Sequence, residues 1–399
     1  MSTRTKLLWV SILYFAEGFP FGLVQDAIPV YMRFQGIGLS SIGLVSLAGL
    51  PWTLKFFWAP AVDLLGTRKT WIVGCQVLLS ASLLFFVVMN PTQGGFFLWL
   101  VMVLAVFSAT QDIAVDAYTI EILEKEEMGP ANGLRVTAYR IAMIAAGGLF
   151  VALAGWVGWG SAFGIASLLM AIYAVTSSRA PARGPEFQSA GEIPATRESL
   201  AMKVWTPLAE LYRRPGFVPV MVFILLFKLG DMALAPMVRP FWVDRGFTPL
   251  EIGVVPGTLG VIFTIIGALL GGALTRRLGI FTALWILGLA QAGSNLFYAA
   301  AASLPPSTAL MYTASAVESF CGGLGTAPFL AFLMSICDRR YAATQYALMT
   351  ALFGLARSVS GACSGYATEH LGYAAYFLAS FFMAFPAYCL LPRVRKWLS

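Results

Sequence analysis

Histidine, cysteine and charge are all scarce in this 399-residue chain. The one histidine, His370, leaves no way to build a histidine-based triad or a multi-histidine metal centre. The five cysteines, Cys75, Cys321, Cys337, Cys363 and Cys389, form no CxxC pair. Most lie in apolar runs, where a thiol acts as a small apolar group, so neither a disulfide framework nor a zinc site is expected. No GxxxxGK[ST] segment is present, which argues against a nucleotide-driven engine within the chain. Charged residues make up 11% of the sequence, against about 25% in soluble proteins. Hydrophobic residues make up 59%. So little polar surface cannot cover a soluble globule of this size, and the composition predicts an integral membrane protein with no cofactor.

Apolar runs of about 20 residues predict spanning helices. Twelve are expected, at 7–32, 41–64, 70–89, 97–122, 131–154, 160–178, 217–243, 249–274, 280–301, 308–336, 343–366 and 371–391. The first run carries Glu17 and Asp26 and lacks a small-x-small cleavage site, so it reads as a span rather than a signal peptide. The net charge of +7 is not a nucleic-acid footprint, because of where the cations fall. Loops on the side of the two termini hold 18 Lys and Arg, among them Arg4, Lys6, Arg68, Lys69, Arg276, Arg277, Arg393 and Arg395. The opposite loops hold only Arg33 and Arg245. That bias predicts both termini in the cytoplasm.

The long connection at 179–216, rich in Pro, Arg, Glu and Ser, divides the spans six and six. A weak repeat agrees with this division. Gln35-Gly36-Ile37 with Ser41-Ile42-Gly43 returns as Arg245-Gly246-Phe247 with Glu251-Ile252-Gly253, an offset of 210 residues. The expected domains are a six-helix bundle at 1–178, a cytoplasmic linker at 179–216 and a second bundle at 217–399. Parallel six-helix halves define the major facilitator fold, an all-α integral membrane architecture of twelve helices in two pseudo-symmetric halves. After the second span, Asp63-Leu64-Leu65-Gly66-Thr67-Arg68-Lys69 resembles the loop signature of that superfamily. Gly66 supplies a tight turn, and Asp63, Arg68 and Lys69 are expected to hold one face shut. The related segment Gly271–Arg277 lacks the acid.

A charge at mid-membrane costs at least about 2.5–3.5 kcal/mol, so charges inside spans mark a cavity or a partner. Here they are Glu17, Asp26, Lys55, Asp112, Asp116, Arg135, Arg140, Lys228, Asp231, Arg239, Glu318 and Arg357. None falls on spans 3, 6, 9 or 12, which predicts that the other eight line a central cavity. Asp112 and Asp116, at i and i+4, share a face beside Gln111. Their mutual repulsion favours carrying a proton, while neutralisation by Arg135 or Arg140 is the structural alternative. Lys228 and Asp231, at i and i+3, read as an intrahelical pair. Glu17 and Asp26 lie on opposite faces of a regular helix, unless Gly18, Pro20 and Gly22 break it. The glycines at 267, 271, 322, 323 and 325 read as close helix contacts rather than a binding loop.

Several segments resemble AmpG-type muropeptide permeases of the major facilitator superfamily. They include Pro51-Trp52-Thr53-Leu54-Lys55-Phe56-Phe57-Trp58-Ala59-Pro60, Ser108-Ala109-Thr110-Gln111-Asp112, Tyr139-Arg140 and Lys228-Leu229-Gly230-Asp231. Further matches are Gln291 to Asn295, Glu318 with Cys321-Gly322-Gly323, and Ala343-Thr344-Gln345-Tyr346. The resemblance covers all twelve expected spans and extends distantly to acetyl-CoA transporters. It implies a non-enzymatic, proton-coupled importer of anhydro-muropeptides (GlcNAc–anhydroMurNAc, with or without peptide) in the bacterial inner membrane. Glu17 stands where relatives carry a small residue, which points to a different cargo or a second proton site.

On this reading Asp112 leads the proton-coupling groups, followed by Asp116, Glu17 and Asp26. Lys55, Arg140, Lys228 and Arg357 are the cations expected to hold anionic parts of the cargo. Gln111, Gln291 and Asn295 are expected at its hydroxyls and amides, and Asp231 and Glu318 complete the set. The partners implied are a small-molecule cargo, protons and the bilayer, with no metal and no nucleic acid, in a monomer. Two other readings stay open: an importer of another large polar solute such as a siderophore, and a non-transporting membrane sensor with the same fold.

Overall fold

The computed structural model describes residues 2–89, 91–181, 212–338 and 342–397. Among these, eleven helical runs are long and apolar enough to cross a membrane. They are α1 (Thr3–Phe34), α2 (Leu39–Phe57), α3 (Arg68–Val88), α4 (Gly95–Ile122), α5 (Met128–Val157), α6 (Trp159–Ser177), α7 (Phe217–Asp244), α8 (Pro249–Leu278), α9 (Ile280–Ser303), α10 (Thr308–Ser335) and a 53-residue run, Gln345–Trp397. Gly372 breaks the last at φ 77, ψ 159. It yields α11 (345–371) and α12 (373–397), so the twelve expected spans are present. Most of the expected linker, 182–211, lies outside the described residues.

Local chemistry sets the ends. The Ser2, Thr67 and Ser307 hydroxyls accept from the first-turn N–H groups of α1, α3 and α10. Thr248 and Glu251 form a capping box at α8, with Pro249 at its first position. The repeat seen in the sequence is also a repeat of backbone. Gly36 and Gly246, 210 residues apart, take φ of +78 and +82. Both turn the chain directly after α1 and α7, in a left-handed conformation that a Cβ disfavours. Large apolar side chains such as Val88, Leu269 and Phe57 stand exposed on these helices, which suits lipid rather than water.

Several spans are irregular where the sequence leaves the choice open, three of them in the first unit, α1, α2 and α5. A π-helical turn at Leu23–Ala27 interrupts α1 after Pro20 and Gly22. The second span, expected to run to 64, is broken instead. Its backbone tightens to 3₁₀ at Lys55–Phe57, ends at Trp58, and restarts as a short helix at Ala59–Leu64 with Pro60 in its first turn. In α5, π geometry occupies Ala145–Leu149.

The chain divides into two compact units, Met1–Gln188 with Arg239–Thr258, and Ser189–Val238 with Leu259–Ser399. The first therefore takes in the end of α7 and the start of α8. Within it α1 lies close on α5: a Cβ on Gly18 would stand 2.9 Å from the Tyr139 carbonyl, and one on Gly22 2.8 Å from the Ala146 methyl. Ser80 and Ser167 exchange hydrogen bonds between α3 and α6. Arg239 pairs with Asp26 at 2.8 Å, and Arg33 grips both oxygens of Asp244 at 2.5 and 2.7 Å. The second unit packs Phe223, Phe227, Phe329, Phe332 and Tyr388 into an aromatic core. In it a Cβ on Gly267 or Gly271 would collide with the carbonyl of Phe320 or Leu324, so these glycines let α8 and α10 touch.

Candidate functional site

One ionic cluster sits inside the first unit. The i, i+4 spacing on α4 does bring Asp112 and Asp116 to one face, and their common partner is Lys55. Its ammonium stands 3.6 Å from Asp112 and 3.8 Å from Asp116. Arg135 of α5 reaches Asp116 at 3.7 Å and lies over the Tyr14 ring, 5.0 Å from its centre. The Tyr14 hydroxyl donates to Asp116 at 2.5 Å. Glu17, one turn along α1 from Tyr14, is buried among the charges of Asp112, Asp116, Lys55 and Arg135. These are long ion pairs around a shared cation, not saturated ones.

Around them stand buried polar atoms without a partner. They are Glu17 Oε2, Asp112 Oδ1, Trp52 Nε1, Ser108 Oγ and both amide atoms of Gln111. A buried polar atom left unpaired costs about 1–3 kcal/mol, so each of these can take a partner such as water or a polar ligand group. Tyr14 and Trp52 were missed in the sequence; Tyr14 three residues before Glu17 on a helix was the available signal.

A second cluster belongs to the second unit. Lys228 and Asp231 form the expected i, i+3 pair at 3.3 Å. Lys228 also donates to Thr326 Oγ1 at 2.6 Å and to the Gly322 carbonyl at 3.4 Å. The Gln291 amide donates to Asp231. The Asn295 amide donates to Ser380 Oγ at 3.1 Å, and Asn295 is fully buried. Gln291 and Asn295, with Asp231, Gly230 and Phe227, border a cavity of about 10 Å³, enough for one water. Glu318 and Asp231 both lie 3.9 Å from where a Gly322 Cβ would be.

The remaining predicted residues are dispersed. Asp26 stands on the π-helical turn and pairs with Arg239, apart from the Lys55 cluster. Arg140 is exposed on α5 and makes no ion pair among those seen here, so Arg135 alone supplies the α5 cation. Arg357 is exposed on α11. At the loop after α2, Gly66 takes φ +72, as its turn requires. Arg68 donates to Glu121 at 3.1 Å and to the Val62 carbonyl, tying this turn to the end of α4. Lys69 is half-buried, and the Asp63 side chain lies outside the described residues. Outside the spans, the carboxyl of Glu127 accepts from the Glu124 N–H, Lys6 and Thr3 at 3.0, 2.8 and 2.7 Å. These donors hold it down to about 2, the backbone bond leading.

Spanning helices that carry ionisable groups inside them define a multi-pass membrane protein whose polar interior marks a functional site. The model of the Major Facilitator Superfamily matches residues 10–361. The Anhydromuropeptide permease of Escherichia coli (strain K12) is 34% identical over 395 residues, covering 97% of this chain and 79% of that protein. The chain belongs to the Major Facilitator Superfamily and, within it, to the AmpG-type permeases. Solved structures agree on the fold at 15% identity. A bacterial homologue of the human lysosomal transporter Spinster, inward-facing and unoccupied, superposes at TM-score 0.76 over 99% of this chain and 97% of that one. The nucleoside transporter NupG superposes at 0.73 over the whole of both chains.

Proposed function

We propose that this transporter imports anhydro-muropeptides across the bacterial inner membrane together with protons, by alternating access, as a monomer with both termini in the cytoplasm. The cargo class follows the E. coli relative. The observation that carries the proton coupling is Lys55, shared between Asp112 and Asp116 at 3.6 and 3.8 Å. A muropeptide brings carboxylates on its peptide stem. When one of them draws Lys55 away, the buried carboxylates around it lose their cation, and a buried anion without a cation takes up a proton. Cargo and proton then bind together. Linkage sets the sign: acid tightens cargo binding, and cargo favours the protonated cluster.

The rest of the site follows from charge and position. Gln111 and Trp52 offer unpaired polar atoms to sugar hydroxyls and amides. Arg140, Glu318 and Arg357 supply further charged contacts, and Gln291 and Asn295 polar ones. Lys228 and Asp231 hold α7, α9 and α10 together. Asp63, Gly66, Arg68 and Lys69 act at the cytoplasmic surface, on closure and not on cargo.

Uptake of radiolabelled GlcNAc–anhydroMurNAc-peptide into proteoliposomes, with and without an imposed pH gradient, tests the whole reading. Acid outside is expected to drive accumulation. Uptake that ignores the gradient would remove proton coupling, and transport of a ferric siderophore in place of the muropeptide would reassign the cargo.

A further inference from the structure

The first cluster holds one more carboxylate than it has cations, and the three are not placed alike. Resting on the proton-coupled reading above, we infer that Glu17 is the carboxyl that loads and releases the transported proton, and that Lys55 is the cation that discharges it. Asp112 has Lys55 within ion-pair distance, and Asp116 has Lys55, Arg135 and the Tyr14 hydroxyl. Glu17 has none of these. It is 6% exposed, its Oε2 has no hydrogen-bond partner, and no ion pair of the described residues reaches it. While Lys55 and Arg135 stand on Asp112 and Asp116, as they do here, the third buried carboxylate stays neutral by keeping a proton, and it ionises only when Lys55 moves to it.

The charged neighbours of Glu17 act in opposite directions. Facing Glu17 are Tyr14 from α1, Lys55 from α2, Asp112 and Asp116 from α4, and Arg135 from α5; Tyr139 lies against the adjacent Gly18. The two anions of α4 oppose ionisation of Glu17, and Lys55 favours it. The position of Lys55 is therefore the switch.

The backbone makes one partner movable and the other fixed. Glu17 is anchored, because Gly18 and Gly22 seat α1 directly on the α5 backbone. Lys55 stands at the 3₁₀ step between Pro51 and Pro60, with its side chain 31% exposed. A 3₁₀ stretch inside a longer helix often marks a hinge.

The cycle balances one proton against one cargo. A proton from the outer side binds a Glu17 carboxylate oxygen while a cargo carboxylate occupies Lys55. When the cargo leaves inside, Lys55 is freed and approaches Glu17. The O–H proton passes to water on that side, and the Glu17 carboxylate is left paired with the ammonium. This role would not transfer to relatives with a small residue in place of Glu17.

The test uses the full chain in liposomes with the membrane potential clamped, radiolabelled GlcNAc–anhydroMurNAc-peptide as probe, and an inward gradient of one pH unit. The wild type is expected to concentrate cargo up to about tenfold per coupled proton. Glu17→Gln should still exchange labelled for unlabelled cargo but should not concentrate it, and its cargo binding should lose its pH dependence. Exchange certifies that the variant is folded; Glu17→Ser, put through the same measurements, decides the matter if the glutamine variant does not exchange. A Glu17 variant that concentrates cargo under the gradient overturns the inference and leaves proton coupling standing. A wild type that exchanges cargo yet ignores the gradient overturns the coupling itself.

Discussion

The two ionic clusters contain similar residues and are built to opposite ends. In the second unit Lys228 is nearly fully buried and saturated, by Asp231, Thr326 and the Gly322 carbonyl, and Asp231 in turn accepts from Gln291. In the first unit Lys55 is shared between two carboxylates at longer range, with a third one nearby and several polar atoms unpaired. A saturated pair resists rearrangement because any move leaves a buried charge bare. An under-saturated cluster has several arrangements of similar energy, which is what a coupling device needs. The contrast assigns holding to one cluster and switching to the other.

The largest expected effect breaks the second cluster. Lys228→Met leaves Asp231, whose side chain is 17% exposed, without its cation and should destabilise the protein by about 3 kcal/mol. Adding Asp231→Asn removes the bare charge and keeps an acceptor for Gln291, so the double variant should recover most of that loss. Thermal unfolding in detergent measures both. Lys55→Met, measured the same way, should cost less than Lys228→Met, since its pairs at 3.6 and 3.8 Å are longer and the Lys55 side chain is 31% exposed. Equal costs at the two lysines would erase the distinction.

The next effect falls on binding. Lys55→Met should weaken muropeptide binding by about 2–5 kcal/mol, the range for removing one partner of a charge pair. Titration calorimetry that finds unchanged affinity would move the cargo's anion to another cation. Smaller still, Arg135→Gln should change stability by under about 1 kcal/mol, because Arg135 and Asp116 are 45% and 35% exposed. A several-fold larger loss would make Arg135 a structural cation like Lys228.

The smallest effect lies outside both clusters. The Glu127 carboxyl is held at about 2 in the folded protein, below its ordinary range. Its contribution to stability is therefore complete above that ordinary range and is lost as pH falls through about 2. Glu127→Gln should flatten this acid limb of the unfolding profile and leave the neutral region alone; an unchanged acid limb would assign it to other carboxylates.

Much of this was legible in the residues. Span number, the Gly36 and Gly246 turns, the shared face of Asp112 and Asp116 and the Lys228–Asp231 pair all depend on spacing along a helix. One partner of the α4 carboxylates was legible, Arg135, which reaches Asp116 at 3.7 Å; the shared one was not. Arg135 and Arg140 were nearest in sequence, whereas Lys55, 57 residues before Asp112, arrives through packing of α2 on α4. Asp26 likewise depends on the π-helical turn that re-aims it at Arg239. The inference above puts Glu17 before Asp112 for the same reason: Lys55 stands within ion-pair distance of Asp112, and no ion pair of the described residues reaches Glu17.

By itself the sequence determined the membrane solvent, the helices and their caps, since apolar length and backbone hydrogen bonding are local properties that lipid enforces segment by segment. Tertiary structure alone decided which charges meet, which are saturated, and which lack a partner. Ionic pairing acts through space, at distances that packing of helices far apart in the chain sets to within an ångström.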